Sequence, residues 1–91
     1  MIRPFYHYCT IGEDTEIAIS SSNEQGESII RVEEPDEEAG FKELEVLSTD
    51  FSVKKNTGFQ DLEAIKYLQF IKKNLFLMFN VVYENESKKV G

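Results

Sequence analysis

The sequence predicts an α+β domain, an antiparallel β-meander of three to five strands with one long C-terminal helix, or two consecutive ones, packed on one face. Three observations predict it. Apolar and polar residues alternate through much of the first half, apolar residues recur at intervals of three and four from Phe59 onward, and turn-forming clusters punctuate the first half at short spacing. Ninety-one residues, 41% apolar and including seven Phe and four Tyr, suit one folded unit; two domains of that summed length would each be too small to bury a core. The chain divides into a meander over 1–54, a helical part over 58–84 and a frayed tail over 85–91.

The strands follow in order. Phe5, His7, Cys9 and Ile11 alternate with Tyr6, Tyr8 and Thr10, an aromatic-rich period of two that signals the first strand. Gly12 to Thr15 turns the chain into a short second strand, Glu16 to Ser20, with Ile17 and Ile19 on one face. Ser21 to Gly26 supplies the next turn, and Glu27 to Glu34 carries the β-branched Ile29, Ile30 and Val32. Pro35 has no N–H to donate and is expected to end that strand, with 35–40 as a polar connection. Phe41 to Leu47 has the clearest alternation: Lys42, Leu44 and Val46 on one face, Glu43 and Glu45 turned to water. Phe51-Ser52-Val53 continues the meander or forms an irregular edge.

Leu62, Ile65, Leu68, Ile71, Leu75, Phe79 and Val82 fall on one helical stripe, which predicts a helix over about 59–83. Thr57-Gly58-Phe59-Gln60 and Gln60-Asp61-Leu62-Glu63 compete as its opening cap, and a break near Asn74 would make two helices of it. The stretch 75–83 is apolar almost all round. A small sheet covers only one side of such a helix, so the other side calls for a partner, and the surface expected to meet it is Phe76, Leu77, Met78, Phe79 and Val82. A strand is the competing assignment for the same stretch, through Val81, Val82 and Tyr83.

Net charge is −7, unevenly spread: from Glu13 to Glu45 twelve acids face Arg31 and Lys42, whereas Val46 to Gly91 holds five acids and seven lysines. An acidic front half argues against nucleic-acid binding, which needs clustered cations to neutralise phosphates. It suits a basic protein partner instead, through Glu33, Glu34, Asp36, Glu37, Glu38, Glu43 and Glu45, in the manner of an antitoxin or immunity protein. The longest apolar run is far short of a membrane span, no apolar leader follows Met1, and a single cysteine fits a reducing compartment, so the expected location is the cytoplasm.

Catalytic and metal chemistry find little support. His7 and Cys9 would share a strand face, but two ligands do not complete a zinc site, and sharing a face does not bring imzidazole and thiol into contact. The five acids between Glu33 and Glu38 lack the spacing of a calcium loop, and no glycine-rich phosphate loop is present. No cofactor and no metal are expected.

Ile30-Arg31-Val32-Glu33-Glu34-Pro35 followed by Gly40-Phe41, together with Thr57-Gly58-Phe59-Gln60-Asp61-Leu62-Glu63, resembles a group of small uncharacterised bacterial proteins. Those pair an acidic β-meander with a helix opened by Gly-Phe-Ser-x-x-Glu; here Gln60 stands in place of the Ser. The resemblance covers roughly 15–79 and implies the fold and a bacterial cytoplasmic setting, with no activity and no site residues. The expected function is a non-enzymatic, self-associating interaction module, a homodimer; an acidic antagonist of a basic protein and an enzyme using Cys9 and His7 are the alternatives.

Overall fold

The computed structural model of the protein describes residues 4–38 and 40–88. Its elements are β1 (Phe5–Ile11), β2 (Thr15–Ser20), β3 (Ile29–Asp36), β4 (Gly40–Leu47), β5 (Val53–Thr57) and α1 (Asp61–Lys88). The strands form one antiparallel sheet in the order β1-β2-β3-β4-β5, and α1 lies over one face of it, so the α+β meander expected from the alternation is the observed fold.

Register places the apolar residues in two rows across the sheet. Ile17, Val32 and Leu44 form one row and Ile19, Ile30 and Val46 the other, all fully buried. From above, α1 contributes Ala64, Ile71, Met78 and Val82, and Phe59 seals the helix start. Each large side chain so enclosed contributes about 1.5–3 kcal/mol relative to exposure, which makes these rows the main source of stability. Buried serines close one end of the sheet by bonding to neighbouring backbone: Ser48 Oγ accepts from Ser28 N, Ser28 O accepts from Ser48 N, and Ser20 Oγ accepts from Ile29 N.

The loops explain where strands stop. Asn23 closes the β2–β3 connection, its Oδ1 accepting from the backbone of Gln25 and Glu27 while its Nδ2 donates to Glu27 Oε1. Pro35 does not end β3 as expected: the strand continues to Asp36, with Pro35 opposite Phe41. β2 pairs with β3 only as far as Glu33, so at Pro35 the strand has a neighbour on one side alone, the setting in which a missing N–H is accepted. After β4, Phe51 adopts φ 59° and its half-buried ring packs against the core. The meander therefore extends to Thr57, beyond the expected limit at 54.

α1 is one continuous helix through 75–83, not a strand and not two helices. Of the two candidate caps the later one forms: Gln60 O accepts from Ala64 N, and Glu63 Oε1 accepts from Gln60 N. Asn74 does not break the helix, because its Nδ2 donates to Phe70 O within the helix and its Oδ1 accepts from the Tyr8 hydroxyl of β1. Nor does the chain fray at 85: Asn85 Nδ2 donates to Val81 O and the helix runs to Lys88, while 89–91 lie outside the described residues.

Candidate interaction surface

The helical stripe read from the sequence separates into two. Ala64, Ile71, Met78 and Val82 are buried against the sheet, with Tyr67, Leu68 and Leu75 packed beside them, whereas Leu62 and Ile65 point away. Ala64 and Met78, outside the stripe read from the spacing, therefore belong to the inner face, whereas Leu62 and Ile65, within it, do not. Of the surface expected to meet a partner, Met78 and Val82 thus belong to the core and Phe79 is half-buried against it; Phe76 and Leu77 are exposed.

What α1 presents outward is a second repeat. Positions 62, 65, 69, 72, 76, 79 and 83 follow the three-four spacing of three heptads, occupied by Leu62, Ile65, Gln69, Lys72, Phe76, Phe79 and Tyr83. Leu62 is 82% exposed, Phe76 77% and Tyr83 73%, values at which large apolar side chains lie almost wholly in water. At a rise of about 1.5 Å per residue the stripe is roughly 30 Å long, apolar at both ends and polar at Gln69 and Lys72 in the middle. Beside its C-terminal end Phe79, Val82, Tyr83 and Ser22 line a shallow groove of about 450 Å³. The heptad spacing was the signal available in the sequence; it was obscured because Ile65 and Phe79 fit a core stripe equally well.

The acidic residues do not form one surface. Glu33, Glu43 and Glu45 surround Arg31 on the sheet face opposite the helix. The Arg31 Nη2 to Glu45 Oε2 distance is 2.9 Å, Nε to Glu43 Oε1 3.5 Å and Nη1 to Glu33 Oε1 3.6 Å, and the guanidinium stacks 3.9 Å from the Phe5 ring centroid. Lys55 adds a 3.4 Å contact to Glu43. Glu43 and Glu45 are consequently half-buried and paired, not turned freely to water as their alternation suggested. Glu34 lies opposite Lys42 on the helix side of the sheet, Asp36 ends β3, and Glu37 and Glu38 are exposed in the following turn.

His7 and Cys9 do not share a face. A β-bulge between them sets His7 opposite Ala18 and Cys9 opposite Ile17, which are adjacent in β2, so the imidazole lies on the open sheet face and the thiol on the helix side. His7 Nε2 is 3.1 Å from Thr10 Oγ1 and 3.8 Å from Glu16 Oε1, all at the surface. Burial pushes the Cys9 thiol above its ordinary range, away from the thiolate that nucleophilic chemistry uses. Burial also raises the Tyr8 phenol, with the neighbouring Cys9 charge adding to it. Among the described residues no three His, Cys, Asp or Glu side chains gather in a metal-binding arrangement, and no helix is long and apolar enough to cross a membrane.

Comparison of the chain with protein-family models, with curated proteins and with solved structures returned no match.

Proposed function

We propose that this protein is a non-enzymatic self-associating module whose α1 helices pair through the stripe Leu62, Ile65, Gln69, Lys72, Phe76, Phe79 and Tyr83. The observation that carries the reading is the three-heptad spacing of that stripe, whose Leu62, Ile65, Phe76 and Tyr83 are exposed on α1 and whose Phe79 lies half-buried at its margin. A second copy of the chain is the occupant because the stripe is self-complementary when two helices run antiparallel. Leu62 then meets Phe79 of the other copy, Ile65 meets Phe76, and Gln69 meets Lys72, so apolar layers flank two symmetry-related polar layers at the centre. Leu62, the most exposed of its apolar members, reaches the groove beside Phe79 and Tyr83 of the other copy. A parallel pair would instead stack Lys72 on Lys72, placing like charges in contact at the centre.

Solution mass by light scattering over a dilution series tests this. The native protein is expected to be a dimer whose mass does not change with salt, since apolar layers dominate the contact. Phe76→Ser and Leu62→Ser, both at exposed positions, are expected to give monomers that still unfold cooperatively. A native protein monomeric throughout, or a dimer untouched by both substitutions, overturns the reading.

A further inference from the structure

The two edges of the sheet differ in chemistry. β5 carries Lys54 and Lys55, charges that oppose the addition of another strand; β1, with the sequence Phe-Tyr-His-Tyr-Cys-Thr-Ile, carries no lysine, arginine, acid or proline and pairs only with β2. The bulge between His7 and Cys9 divides that edge and leaves Cys9, Thr10 and Ile11 as a regular short stretch. Alongside that stretch, between β1 and α1, is a groove of about 410 Å³ lined by Ile11, Tyr67 and Phe70, with Gln69 and the cations of Lys66 and Lys73 at its border.

We propose that this edge is a docking site for an extended segment of another protein with the pattern acidic-x-apolar-x-acidic, which adds a short strand to β1. Main-chain hydrogen bonds to β1 would hold it, and alternate side chains would enter the groove. The central apolar residue lies against Ile11, Tyr67 and Phe70. Residues two before and two after it lie on the same side of the strand, about 13 Å apart, while Lys66 and Lys73 stand two helical turns apart, about 10 Å along α1. Each carboxylate therefore has one lysine within side-chain reach. The occupant is not a second copy of this chain, because none of its five strands carries acidic-x-apolar-x-acidic. The site adjoins the outward stripe proposed for self-association at Gln69 but uses none of that stripe's apolar residues, so either can fail alone.

The probe is the synthetic peptide acetyl-Thr-Glu-Thr-Val-Thr-Glu-Thr-amide, titrated into the 15N-labelled full chain to millimolar concentration and followed by amide shifts. Binding is expected to move the amides of Cys9, Thr10 and Ile11 together with those of 66–73. A peptide with both Glu replaced by Lys, and one N-methylated at alternate residues, are each expected to bind about tenfold or more weakly. The charge-reversed protein K66E/K73E, altered only at surface positions, is expected to prefer the Lys peptide. Absence of shifts at β1, or binding indifferent to N-methylation and to charge reversal, overturns the proposal. Running the titration on Phe76→Ser as well separates it from self-association, since the peptide should bind that variant equally.

Discussion

The Tyr8 hydroxyl donates to Asn74 Oδ1 over 2.9 Å, joining the first strand to the middle of the helix across 66 positions of sequence. The Tyr8 ring also meets Phe70 edge-on at 6.5 Å, and Asn74 turns its amide nitrogen to Phe70 O. One polar contact thus links the sheet edge, the helix backbone and an aromatic pair. Tyr8→Phe keeps the ring and removes the donor, leaving Asn74 Oδ1 part-buried without it. Its expected cost is about 1 kcal/mol in denaturant unfolding, the usual net value of such a bond. Unchanged stability would mean that water replaces the hydroxyl without loss.

The inner and outer faces of α1 should separate in mutational cost. Met78→Ala, at a fully buried position, is expected to destabilise by about 2–5 kcal/mol through lost burial and a residual cavity. Leu62→Ala should change the intrinsic stability of the fold by about 0.5 kcal/mol or less, because Leu62 lies in water. Thermal or denaturant melts of the two in the Phe76→Ser background read the fold without the contribution of association. Equal costs would contradict the assignment of faces.

Antiparallel pairing has a covalent signature. In a Cys9→Ser background, Ile65→Cys mixed with Phe76→Cys should form a cross-link under mild oxidation, whereas Phe76→Cys alone should not, since its two copies would lie roughly 16 Å apart along the axis. Cross-linking of Phe76→Cys alone would mark a parallel pair.

Gly58 is held at φ 92°, and a Cβ there would stand 2.9 Å from Lys42 Cγ. Gly58→Ala meets both obstacles together, an unfavourable backbone region and a side-chain stem that must give way. The expected loss is about 1–3 kcal/mol, measured by equilibrium unfolding. Lys42 also approaches Glu63 Oε1 at 3.9 Å and lies over the Phe59 ring, so its displacement should show as altered shifts in the first turn of α1.

Alkaline pH should weaken the fold in a defined direction. Cys9 and Tyr8 are both raised above their ordinary values of 9.0 and 10.0, so the native state retains protons that the unfolded chain releases first. Their contribution is fully present below pH 9 and is lost progressively as pH rises through the native values. Stability measured from pH 7 to 11 should fall, and Cys9→Ser should lessen the early part of that fall. Iodoacetamide should alkylate native Cys9 at pH 8 more slowly than the thiol of the unfolded chain.

Much of the fold was legible because its signals are local. Lys42 to Leu47 alternates without interruption, and the change of period after Phe59 marks where the helix begins. The surface was less legible for a physical reason. α1 carries apolar residues on two sides, and spacing alone does not say which stripe the sheet will cover; Leu62 and Ile65 could be exchanged with Ala64 and Met78 in any reading of periodicity. The Asn74 side chain resembled a helix stop because its partner, Tyr8, is remote in sequence, and the His7–Cys9 bulge left no local mark at all. Pro35 was misleading in the opposite sense, since its tolerance depends on how far β2 happens to extend beside it.

The order of the strands in the sheet is the order of the strands in the chain, which bears on how the molecule assembles. Every strand pairs with a sequence neighbour, so the sheet can grow hairpin by hairpin with little loop entropy to overcome at each step. The return of α1 onto β1 and β2 is the long-range closure. During synthesis from the N-terminus the five strands emerge before the segment that covers their apolar rows. Until α1 leaves the ribosome, Ile17, Ile19, Ile30, Val32, Leu44 and Val46 lack their cover, and at this nascent stage the exposed apolar rows favour aggregation most.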